Sequence, residues 1–124
     1  MHDHARFRRG VESKDVRVMM EAFADGAVLH SPITFTPFEG KEAIARLLGI
    51  LMQVFEEFRY TDELTAEDGT KALVFRTRVG DRDVEGLDLI RFDGRGLIRD
   101  FTVMVRPRSA VEALLREVGS RLTA

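Results

Sequence analysis

The chain has 124 residues, 44% of them hydrophobic and nine of them phenylalanine, so we expect a single domain over residues 1–124 with one sizeable core. Nineteen basic and 21 acidic residues give a formal net charge of -2 with mixed signs, which argues against nucleic acid or an anionic membrane as partner. The absence of cysteine excludes disulfides, thiolate metal sites and a cysteine nucleophile. No segment approaches the roughly 20 apolar residues of a membrane span, and a cytoplasmic protein is predicted.

The first half of the chain reads mainly as helix. Hydrophobic residues at helical spacing follow Asp15, a favourable N-cap, and predict an amphipathic helix over residues 16–24, after a shorter helix around Phe7. Asp25-Gly26 predicts a turn, and residues 27–31 predict a short strand.

In the next segment, residues 33–38, apolar and polar side chains alternate and prolines bracket the alternating stretch. This pattern suits an edge segment or a lid. A further helix is expected after Glu39-Gly40, where one apolar stripe extends to Phe55.

From Phe58 onward the hydrophobic period changes to two. Turn signals at residues 67–69, 80–82 and 93–96 divide this stretch into four strands of an antiparallel meander. Ser109 and Glu112 then form a capping-box pattern at the start of a final helix. The order predicts an α+β domain in which helices cover one face of a curved sheet.

The predicted strand pairing places one charged residue on an apolar face. With a two-residue loop at Asp81-Arg82, Phe75 lies opposite Asp88, and each opposed pair shares a face. That face carries Leu73, Phe75, Thr77, Val79, Val84, Gly86, Asp88, Ile90 and Phe92, joined by Phe101, Val103 and Val105 from the next strand. Asp88 is its only charge, and Phe101 is expected beside it.

Two interpretations of Asp88 stay open. In a structural role, Asp88 pairs with Arg99 or Arg106 or accepts hydrogen bonds from a loop, because buried polar groups are usually satisfied. In a ligand-binding role, burial raises the pKa of Asp88, and the protonated acid donates a hydrogen bond to a ligand oxygen. The second role predicts a small, mostly hydrophobic ligand that bears a carbonyl or hydroxyl group.

Three segments carry a family resemblance. They are Phe23-Ala-Asp-Gly-Ala-Val-Leu-His-Ser-Pro32, Glu39-Gly-Lys-Glu-Ala-Ile44, and Gly86-Leu-Asp-Leu-Ile-Arg-Phe92 before Gly96-Leu-Ile98. Their order and spacing resemble the nuclear-transport-factor-2-like superfamily, and within it the SnoaL-like proteins and ketosteroid isomerases, over about residues 5–108. The resemblance implies a cone-shaped α+β fold: a curved antiparallel sheet packed on N-terminal helices, with a C-terminal helix and an apolar cavity. It also implies a homodimer, for which Leu87 and Leu89 on the outer sheet face fit a contact.

The chain matches only part of the catalytic-residue pattern of the ketosteroid isomerases. Asp88 matches the protonated acid that helps form the oxyanion hole of the isomerases. Ser31 stands where their catalytic carboxylate precedes the proline, and Phe7 stands where their oxyanion-hole tyrosine lies. A neutral serine cannot replace a carboxylate base without its own activating partner, so steroid isomerisation of that type is not expected. Val103 stands where the epoxide-hydrolase members have an acid, which argues against that chemistry too.

Other polar residues offer weaker candidates. His30 is an alternative base beside Ser31, but strand alternation turns it away from the cavity if Ser31 faces inward. Tyr60 either presents its hydroxyl at the cavity mouth or is core. Two histidines within residues 2–4 could ligate a metal, but a terminal segment is a poor site, and no metal or cofactor is predicted.

The sequence therefore predicts two sets of site residues. The catalytic set is Asp88, His30 and Ser31, and the ligand-binding set is Phe7, Tyr60, Phe75, Phe101, Val103 and Val105. The expected function is that of a SnoaL-like small-molecule-binding protein, with isomerase or cyclase activity on a small hydrophobic carbonyl or hydroxyl compound. The alternative is a non-catalytic ligand-binding or dimerisation module, which the neutral residues at the base and tyrosine positions support.

Overall fold

The structure of the chain is a computed structural model, which describes residues 4–122. Its helices and strands follow from the helical and alternating hydrophobic patterns of the sequence. In chain order they are α1 (His4–Glu12), α2 (Val16–Glu21), β1 (Phe23–His30), β2 (Phe38–Glu39), α3 (Lys41–Val54), β3 (Glu56–Thr65), β4 (Lys71–Val79), β5 (Arg82–Phe92), β6 (Ile98–Arg106) and α4 (Arg108–Leu122). No helix within residues 4–122 is long and apolar enough to cross a membrane. The cytoplasmic location stays a prediction.

The six strands form one sheet in the order β2-β1-β6-β5-β4-β3. Strands β3 to β6 make the predicted antiparallel meander, whereas β1 pairs with β6 in parallel and β2 pairs with β1 in antiparallel orientation. The expected α+β class, with N-terminal helices, a curved sheet and a C-terminal helix, is confirmed. Strands β5 and β6 are the two central strands of the sheet, and each is hydrogen-bonded to a neighbour on both sides.

Aromatic side chains join the helices to the inner face of the sheet. Phe7 of α1 contacts Phe23 of β1 and Phe101 of β6, with ring centroids 5.8 and 5.0 Å away. At the other end of the sheet, Phe58 of β3 stacks on Phe75 of β4 at 4.9 Å. Such pairs stabilise a fold by about 0.5–1.5 kcal/mol each, in addition to the contribution of their buried area. Aromatic contacts therefore stabilise both ends of the core.

The predicted register of the β4–β5 hairpin is wrong by two residues. Leu73, not Phe75, lies opposite Asp88, because the two-residue turn is Gly80-Asp81. Gly80 has a φ of 61°, which a glycine adopts without strain. Side chains alternate with a period of two, so a two-residue error leaves every residue on its predicted face.

The same offset recurs between β5 and β6. Val103 lies opposite Asp88, and Phe101 lies opposite Ile90, so the prediction that Phe101 is the cross-strand neighbour of Asp88 is wrong. An irregularity at residues 91–92 shifts the pairing near the turn. The inner face nevertheless carries the predicted apolar set around Asp88.

The N-terminal half of the structure differs from the sequence prediction around strand β1. The helix predicted over residues 16–24 ends at Glu21, and β1 begins at Phe23. Asp25-Gly26 is not a chain reversal but an exposed part of β1, where its register with β6 shifts. Within residues 33–38 only the last residue belongs to a strand, the short edge strand β2.

The final helix starts at Arg108, two residues earlier than a capping box with Ser109 as its N-cap indicates. The Pro107 carbonyl accepts hydrogen bonds from the backbone N–H groups of Ala110 and Val111, so Ser109 lies inside the first turn of α4. Glu112 instead forms an ion pair with Arg108 at 3.0 Å. Pro107 therefore occupies the N-cap position that the sequence pattern assigns to Ser109.

Candidate functional site

Asp88 lies on the inner face of the central strand β5 and is only 6% exposed. Thr77 is the other buried polar or charged residue in the described part of the chain, and its hydroxyl donates a hydrogen bond of 2.7 Å to the Glu56 carbonyl. The hydroxyl of Thr77 thus has its hydrogen-bond partner on the neighbouring strand β3. A carboxyl group in the same setting carries a far larger desolvation cost, which singles Asp88 out for chemistry.

A small cavity lies between Asp88 and the helices. Its lining consists of Phe7, Val11, Leu48, Leu51, Met52, Phe55, Phe58, Tyr60, Phe75, Asp88, Phe101 and Val103. The space open to the centre of a water molecule is about 20 Å³, which is close to the volume that one buried water occupies on this measure. A larger ligand therefore requires the helix side chains to move. Among the predicted ligand-binding residues, Val105 is not part of this lining and packs against the edge of the core.

Tyr60 is the hydrogen-bond partner of Asp88. Its hydroxyl lies 3.4 Å from Asp88 Oδ2 and donates to it from β3, two strands away. The two arginines considered as partners bind elsewhere: Arg99 Nε donates to the Phe92 carbonyl, and Arg106 pairs with Glu85 on the outer face. The ion-pair interpretation of Asp88 is therefore wrong.

Gly86 leaves room for the Phe75 ring on the inner face of β5. A Cβ atom on Gly86 would overlap the Phe75 ring and would lie 2.7 Å from its Cε1 atom. The Phe75 ring therefore leans over β5 at the level of Gly86, which lies directly opposite it. A side chain at residue 86 would therefore have to push the Phe75 ring away from β5.

Burial sets the protonation of both polar groups. Desolvation raises the pKa of Asp88 to about 8, although the Tyr60 hydrogen bond lowers it in part. Desolvation, together with the charge of Asp88, raises the pKa of Tyr60 well above its ordinary value. At neutral pH the site is thus a phenol donating to a carboxylic acid that still has a proton to donate. Such a chain strengthens the outer hydrogen bond.

Arg8 covers the outer side of this pair. Its guanidinium carbon lies 5.0 Å from the centroid of the Tyr60 ring, a cation–π distance. The same guanidinium binds Glu63 of β3 at 3.2 Å and Glu12 of α1 at 3.5 Å. Arg8 thus ties α1 to β3 at the rim of the cavity. Sequence reasoning missed it, because only the Glu12 spacing of one helical turn is visible without the fold.

Ser31 lies beside a second, smaller cavity of about 10 Å³. Its lining is Leu29, Ser31, Pro32, Ile33, Leu47, Leu51, Val103, Leu114 and Val118. The Ser31 Oγ is buried and finds no hydrogen-bond partner among the described residues. Leu51 and Val103 line both cavities, so they form the wall between the Ser31 side and the Asp88 side.

His30 faces the opposite side of the sheet from the cavities. Its Nε2 lies 3.4 Å from Asp100 Oδ2, and it pairs with Thr102 in the strand register. The structure therefore brings Asp88 and Tyr60 together. It places Ser31 on the far side of Leu51 and Val103 from Asp88, and it places His30 on the opposite face of the sheet.

Within the described residues no three His, Asp or Glu side chains are grouped to hold a metal. The candidate at residues 2–4 involves residues 2–3 and a His4 side chain that lie outside the description.

The outer sheet face carries a broad apolar groove. Val74, Leu87 and Met104 form its floor, and Glu85 and Arg106 lie among its polar residues. Its volume is about 460 Å³, and Met104 is 52% exposed. This groove is separated from Asp88 by the thickness of the sheet, so it is a candidate contact surface and not part of the Asp88 site.

Comparisons with known proteins agree with the fold. The sequence model of the SnoaL-like domain matches residues 4–106. A comparison with curated proteins gives no significant match.

Solved structures give similar chains at two levels of identity. The chain is 38% identical to a steroid delta-isomerase from Pseudomonas aeruginosa, with a TM-score of 0.91 over 96% of this chain and 88% of that one. It is 33% identical to an uncharacterized bacterial protein with a cystatin-like fold from Silicibacter pomeroyi, with a TM-score of 0.93 over 100% and 88%. The epoxide hydrolase/cyclase-like enzyme SalBIII, which acts in pyran ring formation in salinomycin, shares the fold at 18% identity, with a TM-score of 0.71 over 86% and 88%.

Proposed function

The chain belongs to the SnoaL-like domain family, and on this premise we propose that it binds a small, mostly apolar carbonyl or hydroxyl compound and promotes its isomerisation or cyclisation. One observation carries the proposal: a buried carboxylic acid with a pKa of about 8 receives a hydrogen bond from Tyr60 in an otherwise apolar cavity. Such a group has a proton to donate at neutral pH and little competition from water.

The proposed chemistry uses Asp88 as the acid. With Tyr60 donating to Oδ2, Oδ1 presents its proton to a ligand oxygen and stabilises the negative charge that develops there. In a cyclisation, Asp88 gives this proton to the oxygen of the electrophilic group while a hydroxyl of the same ligand attacks the adjacent carbon. The carboxylate so formed then takes the proton that the attacking hydroxyl loses, so the sum is an isomerisation. This sequence does not need a second carboxylate at Ser31.

The relatives support this reaction class. The 38% identical neighbour is a steroid delta-isomerase, and the more distant SalBIII is a cyclase-like enzyme. In our proposal this chain carries out such a reaction with the buried Asp88 as its hydrogen-bonding acid. The neutral Ser31 argues against a proton abstraction from carbon by that position.

Two substitutions of Asp88 test binding and proton transfer separately. Asp88→Asn keeps a hydrogen-bond donor of the same shape, so hydroxy ketones should still bind within about threefold, whereas their cyclisation should slow by about 100-fold or more. Asp88→Ala removes the donor and should weaken ketone binding by about tenfold while leaving the matched hydrocarbon unaffected. Binding is read from concentration-dependent thermal shifts, and products are read by NMR as isomers of equal mass. Equal ketone affinity in the wild-type protein and Asp88→Ala would refute the proposal.

A second candidate is ligand binding without turnover. Its supporting observation is that neither Ser31 nor His30 offers a base on the Asp88 side of the wall. This candidate predicts the same loss of affinity in Asp88→Ala, but no isomer of the bound ketone after prolonged incubation. The two candidates therefore differ only in the NMR result.

We also propose that the outer sheet face forms a homodimer. An apolar strip of the half-buried Leu87 and the exposed Met104 between charged residues suits a contact between two copies of the same surface. Met104→Glu should convert a dimer to a monomer in analytical ultracentrifugation. Leu115→Glu, on α4, is the matched control because Leu115 is 50% exposed and lies on a different surface. A wild-type monomer, or equal effects of the two substitutions, would refute this contact.

A further inference from the structure

The Ser31 hydroxyl is a buried polar group that has no hydrogen-bond partner within the described part of the chain, residues 4–122. A buried hydroxyl without a hydrogen bond costs free energy, and native structures satisfy most such groups. Thr77, the comparable hydroxyl on β4, has its bond to the Glu56 carbonyl. A partner for Ser31 that is supplied by a bound molecule would account for the difference.

The backbone places Ser31 in line with Asp88. Leu29 pairs with Phe101 and His30 pairs with Thr102, so extending this register by one residue past the end of β1 brings Ser31 level with Val103, and both residues line the smaller cavity. Val103 in turn lies opposite Asp88. The two polar residues thus flank Val103 on either side, two strand spacings or roughly 10 Å apart at the backbone.

Apolar side chains of Leu51 and Val103 lie between the two polar groups. The Asp88 cavity has about 20 Å³ and the Ser31 cavity about 10 Å³, and both are lined by Leu51 and Val103. Each cavity alone is near the size of one water, too small for an organic compound. Displacement of the Leu51 side chain on α3 would join them into one elongated space with a polar group at each end.

We propose that the two cavities are the two ends of one ligand site, in which Ser31 hydrogen-bonds a second polar group of the ligand. The ligand class is then a difunctional compound: an apolar skeleton with an oxygen function for Asp88 and a second one about 5–8 Å away for Ser31. This inference rests on the proposed binding of a carbonyl compound by Asp88, and it adds the second anchor. Because a serine hydroxyl both donates and accepts, the second group is a hydroxyl, an ether or a carbonyl.

A matched pair of ligands tests the second anchor. A bicyclic monoketone and the diketone of the same skeleton are titrated into the wild-type protein, Ser31→Ala and Ser31→Thr by calorimetry. Ser31→Ala should weaken the diketone about tenfold and leave the monoketone unchanged, whereas Ser31→Thr, which keeps a hydroxyl, should retain most of the preference. Asp88→Ala serves as the control, because it should weaken both ligands.

A second measurement is independent of the ligands. Without ligand, Ser31→Ala should melt at the same temperature as the wild-type protein or higher, because it removes an unsatisfied hydroxyl and leaves an apolar methyl group. A lower melting temperature would mean that the hydroxyl is already satisfied, for instance by a buried water, and would overturn the inference. Equal loss of both ligands in Ser31→Ala, or no loss of either, would overturn it while leaving the Asp88 proposal intact. If neither ketone binds the wild-type protein, both proposals fail.

Discussion

The buried Asp88 should make the folded protein less stable as the pH rises. Its pKa is about 8 in the folded state, against about 3.9 in an unfolded chain, so between these values the folded state binds the extra proton. The destabilisation is absent below about pH 4, grows through the interval and levels off above about pH 8.

The expected magnitude follows from the difference between the two pKa values. Each pH unit inside the interval lowers the free energy of unfolding by about 1.4 kcal/mol, so about four units give a ceiling on the order of 5 kcal/mol. Water that enters beside the ionised carboxylate reduces this total. Between pH 5 and pH 7 we expect a loss of roughly 2–3 kcal/mol from this one group.

Asp88→Asn isolates the effect, because its amide has nearly the same shape and does not titrate. Urea unfolding of both proteins is followed by circular dichroism at pH 5, 6, 7 and 8, at one protein concentration so that any dimerisation contributes equally. The difference in unfolding free energy, wild type minus Asp88→Asn, should fall steadily with pH, and the titration of all other groups cancels from it. Parallel curves for the two proteins would show that Asp88 has an ordinary pKa, and would refute the assignment of a protonated acid.

Two further substitutions test the surroundings of Asp88. Tyr60→Phe removes the hydrogen bond that lowers the pKa of Asp88, so the Asp88 pKa should rise further, as seen in a carboxyl-carbon NMR titration; an unchanged or lower value would contradict the contact. Gly86→Ala should lower the unfolding free energy by about 1–3 kcal/mol, because the added methyl group overlaps the Phe75 ring. The control Gly26→Ala, which has open space around it, should change the unfolding free energy by no more than about 0.5 kcal/mol. Equal urea midpoints for the two variants would speak against the predicted overlap.

The sequence predicted the face of Asp88 but not its neighbours. Period-two alternation holds over the whole meander, and an even error in register leaves the faces unchanged, so Asp88 was placed correctly among apolar residues. The exact pairing depends on which residues make the turn, and Gly80-Asp81 and Asp81-Arg82 are both acceptable two-residue loops by sequence. That ambiguity misassigned Phe75 and Phe101 as the cross-strand neighbours of Asp88.

Long-range contacts were beyond the reach of sequence patterns. The parallel pairing of β1 with β6 joins segments about seventy residues apart, and neither segment carries a signal for it. Tyr60 is a similar case, because a cavity hydroxyl and a core aromatic look alike in the sequence and only the folded sheet brings the Tyr60 hydroxyl to Asp88. The wall at Leu51 likewise requires the packing of α3 on the sheet, which periodicity does not specify.

The division of labour between sheet and helices has a consequence for how this protein could acquire new ligands. Asp88 and Val103 belong to central strands that are held by neighbours on both sides, whereas the facing wall of the cavity comes from side chains of α1 and α3, such as Phe7, Leu48 and Met52. Exchanging those helix side chains would change the size and shape of the accepted molecule without moving the acid. The molecule is therefore a suitable scaffold for directed evolution, with libraries confined to the two helices and the proton donor kept constant.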